Sequence, residues 1–130
     1  MVNPENGFSL CPEWLEYIKP RSVKDAFCYL IGAAACLRTF QCHAQLKGKR
    51  GPIRDFRFIG CSGTQPYSFI TNQNSLLFYF RKPSARISDE ELLAIQGLLP
   101  EASHNPAREI TVPITTLAQA KRLWPYLALA

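Results

Sequence analysis

The sequence predicts an α+β fold: an antiparallel or mixed sheet of four to five strands, a β-meander followed by helix, strand and helix, packed with helices. Three observations carry this expectation. Val23, Phe27, Leu30, Ala34 and Leu37 recur at helical spacing. Between Ile53 and Phe80 the chain then turns to strand texture, alternating or rich in aromatic and branched residues. Beyond it, Ser88-Asp-Glu-Glu91 reads as a capping box in front of a second helical stripe, Leu92, Ile95 and Leu99. A chain of 130 residues fits a single domain, 1–130, with a lead-in over 1–20 and an α+β core over 22–127.

The lead-in contains one short helix. Cys11-Pro12-Glu13-Trp14 places proline at a first helical position and an acid in the first turn. Trp14 and Ile18 share a face, and Lys19-Pro20 ends the piece. The central helix is expected to begin at Ser22, whose hydroxyl would cap it, with Asp25 three residues on. Its second face is barely polar, with Cys28, Ala33 and Ala35, which predicts close packing on both sides.

Phe40 to Leu46 alternates and reads as a strand or as an irregular segment. Lys47-Gly-Lys-Arg-Gly-Pro52 is a basic turn. From Ile53 to Gly60, Phe56 and Phe58 point inward and Asp55 and Arg57 outward. Tyr67 to Lys82 is a hairpin broken at Asn72-Gln73-Asn74. Its second strand carries Leu76, Phe78 and Phe80 on one face and Leu77 and Tyr79 on the other. A strand apolar on both faces predicts a sheet covered on both sides. Pro100 closes the helix after Ser88, and Glu101 to Ala107 is a polar loop. Glu109 to Ile114 is a strand whose Pro113 requires an edge or a free N–H side. Thr116 and Gln119 cap a last helix, with Leu117, Ala120 and Trp124 inward and Pro125 ending or kinking it. The pattern leaves open whether Trp14, Trp124 and Tyr126 are core or a docking patch.

Charge is distributed unevenly. The net charge is +5, yet residues 19–57 hold nine bases against two acids. Lys47, Lys49, Arg50, Arg54 and Arg57 cluster there on a turn and the strand after it, the pattern that suits phosphates or an acidic protein surface. Lys19, Arg21, Lys24 and Arg38 would extend the patch, and the competing reading is an ordinary solvated face. Phe40, Phe56, Phe58 and Tyr67 would offer stacking platforms if exposed, but their alternation fits a sheet core better.

Other chemistry finds less support. The five cysteines form no Cys-x-x-Cys pair and read as reduced, small core residues. Cys42 and His43 are strand neighbours on opposite faces, so they do not form a nucleophile and base. Asp89, Glu90 and Glu91 are helix-start acids before they are metal ligands. No spacing matches a zinc site, a phosphate loop or a hydrolase elbow, so no catalytic residue, metal or cofactor is assigned. The longest apolar run, Ala26 to Leu37, is short for a membrane span, and Met1 to Gly7 lacks the regions of a signal peptide. The expected location is the cytoplasm.

The element order resembles the core of the restriction-endonuclease-like nucleases, helix, three strands, helix, strand. That resemblance implies an acid on the second strand and a Glu-x-Lys on the third, to hold Mg²⁺ and activate water. Asp55 would stand for the first acid, but Leu76 to Lys82 has no acid at all, so the departure falls on the catalytic residues. Residues 22–127 also resemble, in element order and apolar texture, small uncharacterised bacterial domains associated with nucleases. The reading that follows is a non-enzymatic binding protein, a nucleic-acid-binding accessory protein contacting phosphates. The alternatives are a small inhibitor or adaptor that binds an acidic surface of a larger complex, and a divergent metal-dependent nuclease.

Overall fold

A polar tetrad between two aromatic runs makes the central hairpin. Asn72 to Ser75 closes on itself through Asn72 N–H to the Ser75 carbonyl at 2.9 Å, and so joins β3 to β4. The computed structural model describes residues 11–44, 55–81 and 88–127. They form α1 (Cys11–Tyr17), α2 (Arg21–Ala35), β1 (Phe40–Ala44), β2 (Asp55–Gly60), β3 (Tyr67–Thr71), β4 (Leu76–Phe80), α3 (Asp89–Leu98), β5 (Ser103–His104), β6 (Ile110–Ile114) and α4 (Leu117–Tyr126). The class is α+β as expected. The sheet has six strands in the order β1-β2-β3-β4-β6-β5, every pair antiparallel. The expectation of four to five strands missed β5, two residues inside the polar loop, too short to show any alternation.

Phe56, Phe69, Phe78 and Val112 lie side by side across four strands and are all buried. Every helix packs on this side of the sheet. Trp14 of α1 meets Phe27 of α2 at 5.9 Å and Phe56 at 6.4 Å, both edge-on. Trp124 of α4 lies 6.0 Å from Phe58, and Ile95 and Leu99 bring α3 into the same core. Trp14 is therefore core, Trp124 half-buried, and Tyr126 is 42% exposed with its ring against Phe80.

Three expectations need correction. No helix among the described residues covers the second face of the sheet, although Leu77 and Tyr79 point there. Antiparallel sheets tolerate one wet face, and these two side chains are only half-buried. Second, α2 starts at Arg21, with Pro20 as N-cap and no side-chain cap bond; the extended backbone of proline (φ −73°, ψ 138°) sets the start, and Ser22 is exposed. Third, the small face of α2 is packed only in part: Cys28 is exposed, Ala33 is half-buried, and Ala35 is half-buried against the core. Small side chains lose little by staying wet.

Pro113 sits where its chemistry allows. β5 pairs β6 only at Ile110 and Thr111, so Pro113 lies beyond the reach of β5 on that edge. In the loop after β2, Gly63 holds φ +84°, a left-handed turn that favours glycine, and donates to the Gly60 carbonyl at 2.9 Å. The α4 cap is reciprocal. Thr116 Oγ1 accepts from Gln119 N–H at 3.2 Å, while Gln119 Oε1 accepts from the N–H groups of Thr115 and Thr116 at 2.7 and 3.2 Å. Thr116→Ala is expected to lower stability by ~1 kcal/mol, read as a shift of the urea midpoint at constant slope. An unchanged midpoint would show that Gln119 alone holds this end.

Candidate functional site: the helix-free face of the sheet

Side chains alternate across a strand, so register decides which residues share the open face. One row crosses the whole sheet. His43 lies opposite Arg57, Arg57 opposite Ser68, Ser68 opposite Tyr79, Tyr79 opposite Thr111, and Thr111 opposite Ser103. Beside it runs a shorter row of Asp55, Ile70, Leu77 and Pro113. The first row is polar at every strand; the second is apolar except at Asp55.

Between these rows is a concavity of about 210 Å³, lined by Asp55, Arg57, Ser68, Ile70, Tyr79, Arg81 and Glu109. Each arginine is fixed through Nε to one carboxylate: Arg57 to Asp55 at 2.8 Å, and Arg81 to Glu109 at 3.0 Å. Second bonds set their directions. Arg57 also donates to Gln65 Oε1 at 3.0 Å, and Glu109 is held by Asn105 Nδ2 at 3.1 Å, while its own N–H donates to Asn105 Oδ1 at 2.9 Å. Two cations and two anions leave the lining neutral. Burial, helped by the Glu109 and Asp55 charges and opposed by Arg81, pushes the Tyr79 phenol above its ordinary range and keeps it a hydrogen-bond donor.

Asp55 is the unusual member. It is only 9% exposed, and its Oδ1 is buried with no hydrogen-bond partner, although Oδ2 accepts from Arg57. A buried acceptor left without a donor costs about 1–3 kcal/mol, more when charged. Sequence alternation placed Asp55 on the right face and wrongly in water. Nothing in the alternation reveals that the Ser68 and Tyr79 strands crowd it.

Of the five basic residues read from the sequence, the structure places one. Arg57 is in the concavity, paired rather than free, and only 29% of its side chain is exposed. Lys47, Lys49, Arg50 and Arg54 lie outside the described residues. They belong to the segment that links the ends of the antiparallel pair β1 and β2, from Ala44 to Asp55. The expected extension of the patch does not converge on it. Arg21 and Lys24 are on α2, behind the sheet; Arg21 pairs with Asp25 at 3.1 Å, and Lys24 donates to the Leu15 carbonyl at 2.7 Å. Arg38 stands near Gly60 and Gly63, the opposite end of β2 from Asp55. Lys19 uses its N–H on the Gln73 carbonyl at 2.8 Å, tying the α1–α2 link to the hairpin tip. Arg81, Tyr79 and Glu109 were not singled out as a site, because only the pairing of β4 with β6, distant in sequence, brings Glu109 to the other two.

The remaining candidates resolve simply. Phe56 and Phe58 are fully buried, and Phe40 and Tyr67 pack against the core, so none is an open stacking platform. Asp89 starts α3 and bonds Arg108 at 2.8 Å, with His104 at 3.3 Å; the Arg108 bond and charge hold its carboxyl below the usual range. Among the described residues no group of three or more His, Cys, Asp and Glu is arranged to hold a metal ion. No described helix is long and apolar enough to cross a membrane.

All five cysteines are free thiols, but the core reading fits them unevenly: Cys28, Cys36 and Cys61 are exposed, Cys11 is half-buried, and Cys42 is buried. Burial pushes the Cys42 thiol from 9.0 up to about 11. The folded state therefore keeps the proton that the unfolded chain releases first. This contribution is full below pH 9.0 and lost as pH rises through about 11, on the order of 2 kcal/mol. The stability gap between wild type and Cys42→Ala should narrow over that window in urea titrations. A constant gap up to pH 11 would contradict the burial argument.

No family model, no curated protein and no solved structure matches this chain.

Proposed function

We propose that this protein is a non-enzymatic binding protein that holds single-stranded nucleic acid on the helix-free face of its sheet. The observation that carries the reading is the row His43, Arg57, Ser68, Tyr79, Thr111 and Ser103, one polar side chain per strand across all six strands. Neighbouring strands lie about 4.8 Å apart. Ser68 is buried, so an extended polymer crossing them meets a hydrogen-bonding or stacking group on the other five strands. Tyr79 and His43 offer ring faces, and stacking on such faces tolerates any base. Lys47, Lys49, Arg50 and Arg54, which follow β1 and precede β2 in the chain, supply phosphate contacts. Arg57 is reassigned: its charge is cancelled by Asp55, so it orients a ligand rather than adding net attraction.

The test is binding of labelled single-stranded DNA and RNA at low and raised salt. Affinity that falls steeply with salt supports the reading, and no binding at low salt removes it. The protein-interaction alternative has one observation of its own, the half-exposed apolar row Ile70, Leu77 and Pro113, which suits a protein surface better than a polyanion. The divergent nuclease is least supported. Asp55 and Glu109 are both engaged by arginines, and absence of Mg²⁺-dependent cleavage would dispose of it.

A further inference from the structure

We propose that the concavity between Asp55, Arg57, Tyr79 and Arg81 reads the edge of one guanine base. The inference rests on the single-strand reading above and adds base selectivity to it. Three properties of the site define the ligand. Its volume, about 210 Å³, lies below the ~300–1,000 Å³ of pockets for whole drug-sized molecules, so it admits one flat group rather than a nucleotide. Its charges cancel in two pairs, Asp55 with Arg57 and Glu109 with Arg81, so it favours a neutral group over a phosphate or an ammonium. Its unused hydrogen-bonding capacity is mixed, with one carboxylate oxygen lacking a donor beside two guanidiniums that bond their carboxylates through Nε.

A ligand that matches must present adjacent N–H donors on one edge and acceptors on another. Guanine does this most fully, with N1–H and the N2 amino group toward a carboxylate, and O6 and N7 toward arginine. Asp55 takes the donor edge, and its orphaned Oδ1 gains the partner that no described residue supplies. Arg57 or Arg81 takes the acceptor edge. The ring enters by parting the half-exposed side chains of Arg57 and Tyr79 and stacks on the Tyr79 phenol. Single-stranded bases are recognised in this way, splayed out and bonded along their edges.

The experiment uses the full chain and fluorescence anisotropy with roughly twelve-nucleotide oligothymidylates. One carries a single central guanine, one a central hypoxanthine, which lacks the N2 amino group, and one thymine throughout. The guanine strand should bind about tenfold tighter than the all-thymine strand, the factor one two-bond base contact supplies. Hypoxanthine should lose most of that gain. Asp55→Asn should abolish the preference, read as the ratio of guanine-strand to all-thymine affinity. If that variant does not fold, the hypoxanthine comparison on the wild-type protein still decides. Equal affinity for all three strands, or preference for another base, overturns the guanine site and leaves the single-strand reading standing. No binding by any strand overturns both.

Discussion

Phe69→Ala is expected to cost about 3–5 kcal/mol of stability. Phe69 is fully buried at the middle of β3, and its ring is in contact with four others. Phe56 stacks on it at 5.1 Å and 26°, Phe78 at 6.4 Å and 18°, Phe27 of α2 meets it edge-on at 6.2 Å, and Phe58 lies 6.5 Å away. Truncation removes the transfer free energy of a large ring and leaves a cavity that flat neighbours cannot fill without leaving their rotamers. Domains have only about 5–15 kcal/mol in total, so the variant loses roughly a fifth or more of what holds it folded. The measurement is urea unfolding with the midpoint lowered and the slope unchanged. A loss below ~1 kcal/mol would mean that the aromatic layer collapses freely and is not the rigid centre described above.

Neutralising Lys47, Lys49, Arg50 and Arg54 together by glutamine should act on binding and spare the fold. Each phosphate contact on a single strand contributes about −0.7 to the slope of log affinity against log salt, so four contribute about −3. Wild-type affinity should then fall ~50-fold between roughly 50 and 200 mM salt, while the variant's falls little and is weak throughout. Arg57→Gln is the informative contrast. It strips Asp55 of the cation bonded to it, so it should lower the urea midpoint and hardly change the salt slope. A slope that survives in the fourfold variant would exclude these residues as phosphate contacts.

The parts of the fold written locally were legible in the sequence. The caps at Ser88 and Thr116 are in place, because a side chain and an amide three residues away need nothing else. The inward face at Phe56 and Phe58 follows from alternation alone, as does the grouping of Leu76, Phe78 and Phe80 on one face, though not which face is inward. The start of α2 was misread because a serine in sequence looks like a cap, whereas Pro20 had already fixed the backbone two residues earlier. β5 left no mark, since two residues carry no period. The site was half legible for the same kind of reason. Asp55 and Arg57 are two apart on one strand and share a face by alternation. Arg81 and Glu109 are 28 residues apart, and only the pairing of β4 with β6 brings the pair to Tyr79. Charge counting also treated Arg57 as free, because formal charge says nothing of the carboxylate it meets.

The strand order has a kinetic consequence. β1, β2 and β3 each pair with the next strand in the chain, so this part of the sheet needs only short loop closures. α3 and β5 must both be passed over before β6 can dock on β4, which makes that closure the longer one. Assembly therefore starts at the β3–β4 hairpin, whose ends a single tight turn joins, and β6 arrives late. In stopped-flow kinetics the Phe69→Ala variant should lose its stability mainly through slower refolding. Val112→Ala, on β6, should lose it mainly through faster unfolding.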